Sequence, residues 1–193
     1  MPLPLLLASS STARQQLLTR LQQPFVIAHP AIDETPQPLE TPIALVERLS
    51  RAKGLKIAET VKDHLIISSD QVIVIAGHAV SKPESHVEAI HQLQAASGSW
   101  VESLTGLALF NPQTGKQHYQ CVSTQVLFKP LSLSQIERYL QQDQPYHCAG
   151  SLRVESLGIS LLAKIVSDDP TALIGLPLIG LVDFLTLEAW SFP

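Results

Sequence analysis

Leu65–Pro83 reads LIISSDQVIVIAGHAVSKP. Leu65–Ile67 and Val72–Ile75 are short apolar runs of strand type, and Ala76-Gly77-His78 supplies a turn after the second. Between them stand Ser68, Ser69, Asp70 and Gln71, polar where the pattern asks for apolar residues. A charged carboxylate inside a β-branched run is costly unless it is paired. Two readings follow. Either Asp70 is tied to a structural partner, or it lies where a sheet opens into a cleft and holds a metal or a water. A lone aspartate favours the first. Lys82, fixed by Pro83 just past the second run, moves the balance toward the second. A carboxylate and a lysine converging on one cleft suit a phosphate ester.

The surrounding chain has 193 residues, 45% hydrophobic and 16% charged, which predicts one globular domain over residues 1–193. Its formal net charge of -4, from 13 Lys+Arg and 17 Asp+Glu, gives no basic footprint for nucleic acid. A small phosphorylated ligand in a local basic pocket stays open. Cys121 and Cys148 make neither a disulfide framework nor a metal-ligand pattern. The opening MPLPLLLASSS has no positive residue before its short apolar run, unlike a signal peptide. Ala172–Leu187 is broken by Pro177 and Asp183 and falls short of a membrane span. The expectation is a cytoplasmic protein with reduced thiols and no membrane partner.

Working outward, Leu3–Ala8 reads as a first strand. The hydroxyl-rich Ser9-Ser10-Ser11-Thr12 then leads into a helix with Leu17, Leu18 and Leu21 on one face. Either Thr12 (with Gln15) or Ser11 caps it. A strand, a hydroxyl turn and a helix start make an anion site, since free N–H groups and the dipole point at the turn. Arg14 is badly placed for the dipole but well placed for a phosphate. An ordinary cap with a solvated arginine is the competing reading. Phe25–Ala28 is strand-like, and Asp33-Glu34 precedes a proline-rich loop. Such acids either ligate metal or are solvated at a turn.

Thr41-Pro42 opens a helix whose face carries Val46, Leu49, Lys53 and Ile57. Lys53 interrupts that apolar stripe, either snorkelling to water or aimed under a cleft. Ser85 with Glu88 predicts another helix start, and Gly98 its stop. Strands are predicted over Glu102–Phe110 and Gln117–Phe128, and a helix from Ser132 or Ser134 to before Pro145. Further strands are predicted around Arg153 to Glu155 and over Gly158–Leu162, then a helix after Gly175-Leu176-Pro177. Interleaved strands and helices give an α/β class with a mixed sheet. His147-Cys148 raises a thiol nucleophile, but strand neighbours point to opposite faces, and a buried inert cysteine is the commoner case.

The residues with chemistry in common are Ser9, Ser11, Arg14, Glu34, Lys53, Asp70, Lys82 and Glu155. Cations and backbone N–H groups hold phosphates, while two carboxylates hold a hard divalent cation or activate water. LASSSTARQQLL (7–18), DET (33–35), RLSRAKG (48–54), SDQV (69–72), SKP (81–83), CAGS with R-x-E (148–155) and GLP (175–177) follow one another along the chain. Together they resemble the Maf-like nucleotide pyrophosphatases over essentially its whole length. SDQV, and CAGS followed by a glutamate, look like the branch acting on 7-methyl-GTP. The thymidine- and uridine-triphosphate branch has threonine at the Gln71 position and glutamine at that of Glu155.

The resemblance implies a Maf/ITPase-like fold, a mixed twisted sheet flanked by helices with a deep nucleotide-binding cleft, usually homodimeric. It implies hydrolysis of a nucleoside triphosphate to monophosphate and pyrophosphate with a divalent cation such as Mg²⁺ or Mn²⁺. By position, Asp70 matches the proton acceptor and Glu34 the essential acid, the two suited to the metal. Ser9, Arg14, Lys53 and Lys82 match phosphate-side residues, Ser11 lies in the same hydroxyl turn, and Ala13, Gln71 and Glu155 match the specificity set. A carboxylate at Glu155 suits the cationic 7-methylated ring. The first motif departs from the family: Thr12 replaces its proline, Gln15 a basic residue, and Ala13 the branch tryptophan. That tryptophan would stack on the base for roughly 0.5–2 kcal/mol, which alanine does not. A nucleotide-binding regulatory protein of the cell-division-arrest type, with little turnover, is the second hypothesis.

Overall fold

The computed structural model describes residues 2–193. In chain order the strands and helices are β1 (Leu5–Ala8), α1 (Thr12–Thr19), β2 (Phe25–Ala28), α2 (Pro42–Ala58), β3 (Leu65–Ile75) and β4 (His78–Val80). Then come α3 (His86–Ala96), β5 (Trp100–Asn111), β6 (Lys116–Phe128), α4 (Leu133–Asp143), β7 (Leu162–Ser167) and α5 (Leu178–Leu187). The sheet runs β2-β1-β3-β5-β6-β7, with β4 added to β3. β1 is parallel to β2 and β3, while β4 on β3 and β7 on β6 are antiparallel. The sheet is therefore mixed, and it is open, with β2 and β7 at its ends.

The chain divides into two compact units. The first takes the chain up to Asp70, Thr105–Val122 and Asp169–Pro193; the second takes Gln71–Leu104 and Ser123–Asp168. In the first unit the period-2 alternation of strands buries both faces. Leu5, Leu7, Leu65, Ile67, Leu107 and Leu109 pack with Leu17 and Leu18 of α1 and Leu181 and Leu185 of α5. Leu6, Ala8 and Ile66 pack with Ile57 and Ala58 of α2.

The polar residues read as a break between two strands lie inside one continuous β3. Their side chains explain how. Ser68 Oγ donates to the Ser50 carbonyl (2.7 Å), Asp70 N donates to Ser50 Oγ (3.0 Å), and Ser69 Oγ donates to the Gly175 carbonyl (2.7 Å). The actual hairpin is β3–β4, turning at Ala76-Gly77.

Two glycines let α2 sit this close. A Cβ on Gly54 would stand 2.7 Å from Ser68 Oγ, and one on Gly106 would collide with Ser50 Oγ and stand 3.1 Å from the Val46 carbonyl. Gly106→Ala is expected to lower the unfolding free energy by about 2–3 kcal/mol, because overpacking here also displaces Ser50. Urea denaturation measures it, and an unchanged midpoint contradicts this account of the helix seat.

In the second unit Leu93 and Ala96 of α3 and Ile136 and Leu140 of α4 are fully buried. Ser132 and Gln135 form a reciprocal capping box at α4. Ser85 caps α3, but Glu88 bonds the Glu84 N–H instead of closing a box. The strand expected around Arg153–Glu155 is a turn, and Gly158–Leu162 is mostly a 3₁₀ turn before β7. The Gly158 N–H folds back on the Arg153 carbonyl at 3.0 Å, which closes a loop and prevents extension.

Candidate active site

The site is built on α2 of the first unit. Lys53 lies on its buried face, and its ammonium reaches Asp70 Oδ1 at 2.5 Å and Glu34 Oε1 at 2.9 Å. The Lys53 and Asp70 side chains are each 9% exposed, while Glu34 is 49% exposed. One ammonium thus bridges an inner and an outer carboxylate. The reading of Asp70 as tied to a partner holds, and the partner is Lys53.

The loop bearing Glu34 is clamped to the same helix. Arg48 grips Glu40 through two bonds, of 2.6 and 2.8 Å, and donates to the Thr35 carbonyl at 3.0 Å. Those Arg48 bonds push the Glu40 carboxyl down to about 2. Asp33 Oδ1 accepts the Thr35 N–H at 2.9 Å, and bonding to Thr35 holds its carboxyl below the usual range. Asp33 therefore shapes the turn, and Glu34 is the acid that reaches Lys53.

The hydroxyl turn before α1 is ordered by its own side chains. Ser9 Oγ accepts the Ser11 N–H at 3.1 Å, and Ser11, not Thr12, caps the helix by accepting the Arg14 N–H at 3.3 Å. Ala13 is half-buried in the first helical turn. Arg14 donates from Nε to the Gly175 carbonyl at 2.8 Å. Burial lowers its pKa, and the charges of Asp70 and Glu34 act in the opposite sense. Two cations, Arg14 and Lys53, thus answer two carboxylates, Glu34 and Asp70.

Gln71, Lys82 and Glu155 belong to the second unit. Gln71 Nε2 donates to Ser103 Oγ at 3.0 Å, Lys82 is exposed, and Glu155 lies 3.7 Å from Arg153. Arg153 is also 3.7 Å from Asp143. Gln71 and Glu155 thus have different partners. Tyr139 fastens this loop, donating to the Ser151 carbonyl and accepting the Arg153 N–H. Burial pushes the Cys148 thiol up to about 11, which disfavours the thiolate form that a nucleophile needs.

Sequence reasoning missed Ser50, Ser69 and the Gly175 carbonyl, which hold β3, α2 and Arg14 in place. The signal available was the pairing of small residues, Gly54 and Gly106, with serines on α2 and β3. Among the described residues no group of three or more His, Cys, Asp or Glu is arranged to hold a metal. Two acidic side chains sharing one ammonium still fit a hard divalent cation, because Mg²⁺ commonly takes one or two carboxylates and completes its shell with phosphate and water.

This geometry defines an α/β protein with a charge-balanced carboxylate–cation site centred on Lys53 of α2. The model of the family described as Maf-like protein matches residues 4–188, and the chain belongs to that family. A relative from Pseudomonas fluorescens is 49% identical over 191 residues, covering 99% of this chain and 100% of the relative. One from Nitrosospira multiformis is 50% identical over 184 residues (95% and 93%). One from Nitrosococcus oceani is 47% identical over 184 residues (95% and 92%). All three are named 7-methyl-GTP pyrophosphatase. Among the described residues no helix is long and apolar enough to cross a membrane.

Proposed function

We propose that this protein hydrolyses 7-methyl-GTP to 7-methyl-GMP and pyrophosphate, acting as a house-cleaning enzyme on a modified nucleotide. The observation that carries the reading is the Lys53 ammonium held between Asp70 and Glu34. The names of full-length relatives near 49% identity supply the substrate and favour turnover over a purely regulatory role.

In this reading Lys53 fixes Oδ1 of Asp70, and the second carboxylate oxygen takes a proton from water as that water attacks the α-phosphorus. The bond to the bridging α–β oxygen breaks and pyrophosphate leaves with its electrons. Lys53, Arg14 and Lys82, with the N–H groups of the Ser9–Ser11 turn, hold the phosphate chain and its developing charge. Glu34 and Asp70 would hold a divalent cation, Mg²⁺ or Mn²⁺, which supplies charge neutralisation on the leaving group when bound. Gln71, Ala13 and Glu155 form the base-selecting set. The family match over 4–188 supports treating residues 1–193 as one functional domain. The family resemblance favours a cytoplasmic homodimer.

The test is pyrophosphate release from 7-methyl-GTP, GTP, dTTP, UTP and CTP with Mg²⁺ or Mn²⁺. Highest kcat/KM on 7-methyl-GTP is expected, and no turnover of any nucleotide would sink the reading. Glu155→Gln is expected to lower the preference for 7-methyl-GTP over dTTP and UTP by about tenfold, the worth of one charge-assisted contact. An unchanged ratio moves base choice elsewhere.

A further inference from the structure

The Gly175 carbonyl accepts two donors at once: Arg14 Nε at 2.8 Å and Ser69 Oγ at 2.7 Å. Ser69 is fully buried and immediately precedes Asp70 on β3. A single peptide oxygen therefore joins the arginine of the first turn to the strand that carries the reacting carboxylate.

The turn presenting this oxygen is itself pinned. Gly175 has φ +118°, a conformation that disfavours any side chain, and its N–H bonds the Ala172 carbonyl at 2.8 Å. The buried Asp169 accepts the Thr171 N–H at 2.9 Å and the Ile179 N–H at 2.8 Å, locking the turn to the start of α5. A Cβ at position 175 would also meet Arg14 Nε at 3.2 Å. The carbonyl is thus a fixed point. Binding Nε to it sets the plane of the guanidinium and leaves the four terminal N–H donors outside that bond.

We propose that Ser69 and the Gly175 carbonyl are a positioning device for Arg14, aiming its terminal nitrogens at the substrate's phosphate chain. This rests on the reading of Arg14 as a phosphate-side residue. The Ser69 hydroxyl occupies one side of the acceptor and holds the peptide in the orientation that Arg14 needs. It acts through Arg14 and touches no substrate.

A double-substitution cycle tests it. Ser69→Ala is expected to lower kcat/KM about tenfold, the loss of one buried hydrogen bond expressed as rate. In an Arg14→Lys background, which keeps the charge but lacks the Nε donor, the same change is expected to have less than a twofold effect. Equal losses in both backgrounds overturn the proposal and assign Ser69 a purely structural role. Ser69→Thr, which keeps the hydroxyl, is expected to restore most of the rate; a threonine variant as slow as alanine, at equal thermal midpoint, also overturns it. If Ser69→Ala does not fold, Ser69→Cys keeps the volume with a weaker donor and enters the same cycle. Should Arg14→Lys and Arg14→Ala both retain full activity, the phosphate-side reading itself fails, an outcome separate from the cycle's.

Discussion

Asp70→Asn is expected to reduce pyrophosphate release by about a thousandfold, within the range for loss of a positioned general base. The substitution keeps the size of the side chain and an oxygen able to accept from Lys53. What it removes is the charge that takes the proton. Folding is expected to survive, because Lys53 keeps Glu34 as a partner at 2.9 Å and the Asp70 N–H keeps Ser50 Oγ at 3.0 Å. The check is a pyrophosphate assay beside a thermal melt of the same preparation. Wild-type turnover in a folded variant removes Asp70 from the chemistry.

Lys53→Met is expected to abolish turnover and to destabilise the protein by about 3–5 kcal/mol, the usual cost of leaving one member of a buried ion pair alone. Asp70 would face a thioether chain with its carboxylate only 9% exposed. The double substitution Lys53→Met/Asp70→Asn separates the two effects. It is expected to recover most of the stability, since neither member of the pair is left alone, and none of the activity. Chemical denaturation and the same assay measure both. A Lys53→Met protein as stable as the wild type would show that the ammonium does not hold the site together.

Much of the first unit could be read from residue order. Thr41-Pro42 does open α2, and Val46, Leu49, Lys53 and Ile57 share its buried face. Ser11 caps α1 and Phe25–Ala28 forms β2, and in the second unit Ser132 caps α4. What escaped the reading was tertiary. Ser68, Ser69 and Asp70 looked like a break because periodicity treats polar residues as surface, yet Ser50 and Gly175 satisfy them inside the sheet. The region from Arg153 to Leu162 misled for the opposite reason. Its alternation suggested extension, but Gly158 lets the chain fold back onto Arg153.

The grouping of Glu34, Lys53 and Asp70 was also beyond local pattern. It needs the Arg48–Glu40 clamp to bring a loop over a helix, and the clamp is formed by residues eight apart with no shared periodicity. Motif order supplied the grouping; spacing alone did not.

Ser50, Lys53 and Gly54 are buried on the inward side of α2, whereas Leu55, one residue on, is exposed. A fluorophore or an immobilisation handle at position 55 would ride on the rigid rod that sets the charge spacing without entering it. That makes the outer flank of this helix the natural attachment point for a biosensor that reports nucleotide turnover.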